Sequence, residues 1–144
     1  MVIAGILKHK GSSVLSVTPS ASIAEVVRLL AARRIGAVLV IDEGGELMGI
    51  LSERDIVRGL AEHGAGTLDM AAAELMTSEV QTATPQTTCA QAMEMMTDGR
   101  FRHVPVVEGS RLVGVVSIGD VVKAKIGEAE QEVDSLRAYV AGAA

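Results

Sequence analysis

The chain has 144 residues, a formal net charge of −5 and a hydrophobic content of 49%, and Phe101 and Tyr139 are its only aromatic residues. This negative charge, without a dense run of lysine and arginine, argues against a nucleic-acid partner, because such binding depends on attraction to phosphates. No apolar run approaches the roughly 20 residues of a membrane-spanning helix, and no export signal is recognisable. The single Cys89 cannot form an internal disulfide. We therefore expect a soluble cytoplasmic protein.

The first half of the chain alternates strand and helix signals. A short apolar run stops at Thr18-Pro19, where proline removes a backbone donor and commonly opens a helix. Apolar residues then recur with helical spacing from Ile23, and two apolar runs flank the turn DEGG, which predicts a hairpin. The predicted elements are a strand at residues 14–17, a helix at 21–33, strands at 37–41 and 47–51, and a helix at 55–61.

The second half repeats this order after a connecting segment at residues 62–77. We expect the glycine-rich start of that segment to be a loop and its sequence MAAAELM to form a helical turn, the part that IAGILKHKG plays before the first half. The predicted elements that follow are a strand at residues 80–83, a helix at 88–97, strands at 103–107 and 112–116, and a helix at 118–126. The tail begins acidic and then carries an apolar helical stripe, which would pack on its own core, a second subunit or a partner.

The two halves are copies of one unit. Thr18-Pro19 recurs as Thr84-Pro85 at an offset of 66, and after turns of unequal length Gly49 recurs as Gly114 at an offset of 65. Units of about 60 residues seldom bury enough surface to be stable alone. We therefore expect an α+β protein in which two such units pack face to face.

Each copy closes with the pattern Gly-apolar-apolar-Ser-x-x-Asp, as GILSERD at 49–55 and GVVSIGD at 114–120. One interpretation is structural: the serine and the aspartate cap the following helix, a contribution of about 1 kcal/mol. The other is functional: at a strand-to-helix corner a carboxylate can bind both hydroxyls of a ribose, and a glycine lets a ligand approach the backbone closely. The residues alone leave both interpretations open.

The repeated strand-helix-strand-strand-helix unit, its two Ser-x-x-Asp closures, and the stretches RRIGAVLVID and FRHVPVVE resemble a tandem pair of CBS domains, the cystathionine β-synthase domain module. The resemblance covers nearly all of residues 1–125. It implies an α+β tandem CBS-domain pair, two β-α-β-β-α units packed through their sheets. On this basis we expect a first CBS domain at residues 1–62, a linker and lead-in helix at 63–76, a second CBS domain at 77–126 and a C-terminal helical tail at 127–144.

The resemblance also implies clefts that bind adenosine compounds such as AMP, ADP, ATP, NAD(H) or S-adenosylmethionine. The ribose-binding aspartates of the family correspond to Asp55 and Asp120, and the neighbouring hydroxyls to Ser52 and Ser117. No histidine repeats with these pairs, which argues against a catalytic site, and the three histidines lack the spacing of a metal site.

Further site residues follow from the same resemblance. Thr18 and Thr84 match positions near the adenine, and Arg102-His103 matches basic positions that meet phosphate. The first copy has Gly36-Ala37 in those places, so we expect the two clefts to differ. A surface arginine beside a half-buried strand histidine is the structural alternative for the basic pair.

The sequence therefore predicts a stand-alone regulatory sensor that binds an adenine nucleotide, with AMP favoured and ATP, ADP or NAD(H) as alternatives. We expect a homodimer that signals energy state through a regulated protein or a change of assembly, without enzymatic activity, nucleic acid or membrane. The alternative is a ligand-free dimerisation scaffold in which the Ser-x-x-Asp motifs are only helix caps.

Overall fold

The computed structural model describes residues 1–11 and 13–143, which divide into two compact units. The central unit comprises residues 13–81, and the terminal unit comprises residues 1–11 together with 82–143. Apart from a 3₁₀ helix at Gly64–Asp69, the elements in chain order are α1 (Ile3–Lys10), β1 (Ser16–Val17), α2 (Ile23–Arg33), β2 (Ala37–Ile41), β3 (Leu47–Ser52), α3 (Glu53–His63), α4 (Ala72–Leu75), α5 (Cys89–Gly99), β4 (His103–Glu108), β5 (Arg111–Ser117) and α6 (Ile118–Ala143).

The central unit has a three-stranded sheet in the order β1-β2-β3. β1 runs parallel to β2, and β2 runs antiparallel to β3 with Ala37 opposite Ser52. The helical spacing of α2 and the apolar run of β2 place their large aliphatic side chains in one core. The core residues of this unit are Ile23, Val26, Leu30, Val38, Val40, Leu51, Ile56 and Ala72.

The terminal unit has the corresponding hairpin of β4 and β5, but the strand predicted at residues 80–83 is reduced to one bridge between Ala83 and Val106. The reason is Pro105. In the central unit the Leu39 amide donates to the Leu15 carbonyl at 3.2 Å, and Pro105 occupies the position of Leu39 (39 + 66 = 105). Because proline has no N–H, this ladder bond cannot form in the second copy.

The N-terminal helix α1 packs on the second copy of the repeat. Ile3 and Ile6 are buried in the core of the terminal unit, and the Ile3 amide donates to the Thr87 carbonyl at 2.9 Å. Conversely, the Ala72 amide at the start of α4 donates to Ala21 of the central unit at 2.7 Å. The compact units thus differ from the predicted division: residues 1–11 pack with the second copy and residues 64–81 with the first.

Two predicted boundaries were wrong. The expected glycine-rich loop after α3 is a 3₁₀ helix, ordered around the buried Thr67, whose hydroxyl lies 2.9 Å from the Gly59 carbonyl oxygen and 2.8 Å from that of Gly64. The helix predicted to end at residue 126 continues as α6 to Ala143. A single glycine, Gly127, lowers helix propensity by only about 1 kcal/mol and does not end a helix as proline would.

Candidate functional site

In each unit the start of one strand, the end of the next and the first turn of a helix meet at one corner. In the central corner Ala37 lies opposite Ser52, and the Glu53 amide donates to the Gly36 carbonyl at 3.0 Å. The structure therefore brings together Gly36, Ala37, Ser52 and Asp55, which the resemblance assigned to one site.

The terminal corner has the same construction. His103 lies opposite Ser117, and the Ile118 amide at the start of α6 donates to the Arg102 carbonyl at 2.8 Å. Arg102 is exposed and His103 is half-buried. This corner gathers Arg102, His103, Ser117 and Asp120, so the basic pair and the acidic residue predicted for one cleft share one end of the β4–β5 hairpin.

Asp55 in the central corner is almost enclosed, with 8% of its surface exposed. Its Oδ2 accepts from the Ser52 amide at 2.9 Å and from the Ser52 hydroxyl at 3.1 Å. Its Oδ1 accepts from the Thr77 hydroxyl at 3.2 Å and lies 3.8 Å from the Arg58 guanidinium. Both oxygens of this carboxylate are therefore engaged within the unit, and Ser52 and Asp55 form a complete capping box.

Asp120 in the terminal corner is more open and is paired with a lysine. Its Oδ2 accepts from the Ser117 amide at 2.8 Å and from Lys10 Nζ at 2.6 Å, and its side chain is 25% exposed. Lys10 also donates to the Val115 carbonyl at 3.0 Å. The contacts of Asp120 with Ser117 and Lys10 are both made to the same carboxylate oxygen, Oδ2.

The charge state of Asp120 follows from these contacts. Burial alone would raise the pKa of this carboxyl, but the hydrogen bond from Lys10, the hydrogen bonds from Ser117 and the positive charge of Lys10 together hold the pKa below its ordinary value. The carboxylate is therefore ionised at neutral pH and its charge is balanced by Lys10.

The two predicted threonines do not join these corners within their own units. Thr18 follows Val17, which pairs with Val40, whereas Ser52 pairs with Ala37. Three residues along a strand separate these positions by about 10 Å. Thr84 likewise follows the bridge of Ala83 to Val106, three residues beyond the pair of His103 with Ser117. Each threonine therefore lies at the opposite end of the sheet from the aspartate of the same unit.

The repeated glycines have a packing role that the sequence interpretation missed. A Cβ at Gly49 would lie 2.6 Å from the Thr77 carbonyl oxygen, and one at Gly114 would lie 2.7 Å from a methyl carbon of Leu7. Gly114 thus makes room for α1, and Gly49 makes room for the residues that follow α4. These contacts account for both glycines without a ligand, because the space at each Cβ position is filled by the protein itself.

Lys10 and Thr77 were absent from the predicted site, although each contacts an aspartate of the repeat. They occupy adjacent positions of the two copies, since 77 − 66 = 11. The alignment of IAGILKHKG with the segment before the second copy was the available signal. It could not identify the contacts, because Lys10 and Asp120 are 110 positions apart.

No helix within the described residues is long and apolar enough to cross a membrane. In the same part of the chain, no three His, Cys, Asp or Glu side chains are grouped so that they could hold a metal ion.

Comparison with known proteins gives a consistent result. The sequence profile of the CBS domain matches residues 11–62 and again residues 72–127. The protein "CBS domain-containing protein CBSX3, mitochondrial" of Arabidopsis thaliana is 35% identical over 148 residues, which cover 97% of this chain and 72% of that protein. The crystal structure of the CBS-domain-containing protein ATU1752 of Agrobacterium tumefaciens has a TM-score of 0.85 at 46% identity, covering 86% of this chain and 92% of that one.

A third similar protein has a recorded ligand. The CBS domain pair of protein MJ0100, solved in complex with 5′-methylthioadenosine and S-adenosyl-L-methionine, has a TM-score of 0.78 at 26% identity. The match covers 89% of this chain and 98% of that chain. An adenosine moiety is therefore bound by a protein of this architecture.

Proposed function

Because the chain belongs to the CBS-domain family and is a tandem pair of its domains, we propose that it is a regulatory module that binds an adenine nucleotide and has no catalytic activity of its own. The predicted α+β CBS-pair fold is confirmed by the same matches. The adenosine ligands of the MJ0100 pair support the class of ligand.

The terminal corner is the proposed ribose site, and the carboxylate of Asp120 is the observation on which this rests. A carboxylate binds a ribose diol through acceptor oxygens that are still accessible. Asp120 is 25% exposed, and its contacts with Lys10 and Ser117 both use Oδ2, whereas both oxygens of the nearly buried Asp55 are engaged. We therefore expect the two corners to differ in affinity, with the central corner weak or without a ligand.

Charge supports an anionic ligand at the same corner. A nucleotide approaching a chain of net charge −5 needs local cations, and Arg102 directly precedes β4, whose first residue His103 pairs with Ser117. AMP is the ligand we favour, with ADP, ATP or NAD(H) as alternatives. The central corner has only Gly36 and Ala37 at the equivalent places.

We propose further that the module acts in the cytoplasm as a homodimer and passes its ligand state, an index of cellular energy, to a regulated protein. Thr18 and Thr84 lie away from the aspartates of their own units. Their proposed role as adenine contacts therefore rests on the resemblance alone.

A ligand-free scaffold is the second candidate, and one observation favours it. Both carboxylates accept a hydrogen bond from a main-chain amide at the start of their own helix, Asp55 from Ser52 and Asp120 from Ser117. Helix capping is sufficient to explain such contacts.

A ligand screen separates the two candidates. The 144-residue chain is heated with AMP, ADP, ATP, NADH and S-adenosylmethionine, each at a concentration far above its expected dissociation constant. A ligand at 100 times its dissociation constant adds about 2.7 kcal/mol to the free energy of unfolding. A shift with AMP supports the sensor, and no shift with any compound supports the scaffold. Recovery of each nucleotide unchanged after incubation is expected for a protein without catalytic activity.

A further inference from the structure

The second half of α6 extends away from the core that its first half helps to build. Val121 is buried in the terminal unit, and Glu128 pairs with the N-terminal amine at 2.8 Å. From Ala129 to Gly142 every described residue is exposed. Helices of roughly 15 residues are marginal in water without packing, and Gly127 lowers helix propensity further. This half of α6 therefore needs a surface against which to pack.

The exposed apolar residues of α6 repeat in the alternating steps of three and four that define a coiled-coil seam. Ile126, Val133 and Val140 occupy the a positions of the heptad, and Ala129 and Leu136 occupy the d positions. The four larger ones are 49% to 64% exposed. In parallel coils, β-branched residues at a with leucine at d favour two strands. We call these five residues the α6 seam.

The charges beside the α6 seam complement a second copy of the same helix. Lys125 and Glu132 occupy g positions, and Glu130 and Arg137 occupy e positions. In a parallel pair each g residue faces the e residue of the next heptad on the other helix. Lys125 then meets Glu130 of the partner subunit, and Glu132 meets Arg137 of the partner subunit, so that both contacts join opposite charges and each occurs twice.

An antiparallel pair with the same overlap is less favourable. It would set g against g and e against e, which joins Glu130 to Arg137 but leaves Lys125 and Glu132 without a partner of opposite charge. Within the described residues, neither Glu132 nor Arg137 forms an ion pair in its own chain. Both are therefore available to a second copy.

We propose that the α6 seam docks onto the same seam of a second copy of this chain in a parallel two-stranded coiled coil of about 27 Å, the length of residues 126–143 as helix. This interface does not depend on ligand binding, and it assigns the predicted tail to a second subunit rather than to its own core or to a foreign protein.

The mass of the full chain in solution tests the proposal. We expect the wild type to sediment at twice the chain mass, and the Val133→Glu/Leu136→Glu variant to sediment at half the wild-type mass, its dissociation constant raised at least a hundredfold. Ser135→Glu, on the outer face of the same turn, is the matched control and should leave the mass unchanged. A monomeric wild type, or a double variant with the wild-type mass, would overturn the proposal.

Cross-linking tests the parallel orientation. Equal a positions face each other in a parallel coil at a distance suited to a disulfide. Val140→Cys should therefore give a covalent dimer on mild oxidation, whereas Ala138→Cys on the outer face should give no more than the wild type with its buried Cys89. Equal yields from the two variants would refute the arrangement.

Charge reversal gives an independent check. Glu132→Lys and Arg137→Glu should each weaken the dimer by about tenfold, since each turns two attractive contacts into repulsive ones. The two changes in one chain restore opposite charges and should recover the wild-type dissociation constant. A double variant no better than the singles would contradict the proposed pairing.

Discussion

Replacing each repeated aspartate by asparagine distinguishes ligand binding from helix capping, because the two side chains have different surroundings. At position 120 the asparagine oxygen can still accept from the Ser117 amide. What is lost is a partly exposed ion pair with Lys10, about 0.5 kcal/mol, and a negative charge at a helix N-terminus, about 0.5 kcal/mol. We therefore expect Asp120→Asn to lower the free energy of unfolding by about 1 kcal/mol.

Asp55→Asn should cost more stability. An amide has one acceptor oxygen, but the enclosed Asp55 carboxylate uses one oxygen for Ser52 and the other for the Thr77 hydroxyl. The amide nitrogen then faces the hydroxyl of the exposed Thr77, so a hydrogen bond to an ionised acceptor is replaced by a weaker neutral one, a cost of about 1 kcal/mol. Together with the lost charge at the helix start, we expect a destabilisation of about 1.5 kcal/mol.

Affinity should follow the opposite order. If Asp120 binds the ribose, the loss of its charge removes hydrogen bonds to an ionised acceptor, about 1.5–3 kcal/mol, which corresponds to more than tenfold in the dissociation constant for AMP. Asp55→Asn should leave this constant within about twofold. Urea denaturation without ligand gives the stabilities and titration calorimetry gives the affinities. An unchanged affinity of Asp120→Asn would reduce this residue to a helix cap, and equal stabilities would refute the account of Asp55.

Three further predictions concern stability. Because the pKa of Asp120 is lower in the folded state, this carboxylate stabilises the fold above the unfolded pKa of about 3.9, and that stabilisation is lost as the pH falls through the folded pKa. Lys10→Met removes part of the cause, so we expect its urea midpoint to fall less than that of the wild type between about pH 5 and pH 3. Arg34 has a φ of 53° at the end of α2, a conformation that favours glycine. Arg34→Gly should therefore raise the free energy of unfolding by about 0.5–1 kcal/mol. A lower free energy of unfolding would show that the contacts of the arginine outweigh the strain. Gly49→Ala should lower the free energy of unfolding by about 2 kcal/mol or more, because its Cβ would lie 2.6 Å from a carbonyl oxygen. The control is Gly127→Ala, which has open space at its Cβ and should raise the free energy of unfolding by up to about 1 kcal/mol. Thermal denaturation measures both.

Local chemistry made much of the architecture readable from the chain. Helical spacing from Ile23 and the apolar run that becomes β2 depend only on side chains a few positions apart, and the predicted helix at 21–33 and strand at 37–41 correspond to α2 and β2. The Ser-x-x-Asp closures likewise act within one turn of helix, as the contacts of Asp55 and Asp120 with their own serines show. The repeat itself predicted two similar corners.

Long-range packing decided what distinguishes those corners. α1 packs with the second copy, Lys10 contacts Asp120 across 110 positions, and Thr77 contacts Asp55. These contacts join segments whose spacing in the sequence carries no periodic signal. The missing strand before Thr84 depends on Pro105, whose effect is defined only once its ladder partner is known. The sequence by itself determined the family, the repeat and the caps, because these are local patterns; the tertiary structure alone decided which carboxylate is enclosed and which is open, because exposure depends on distant parts of the chain.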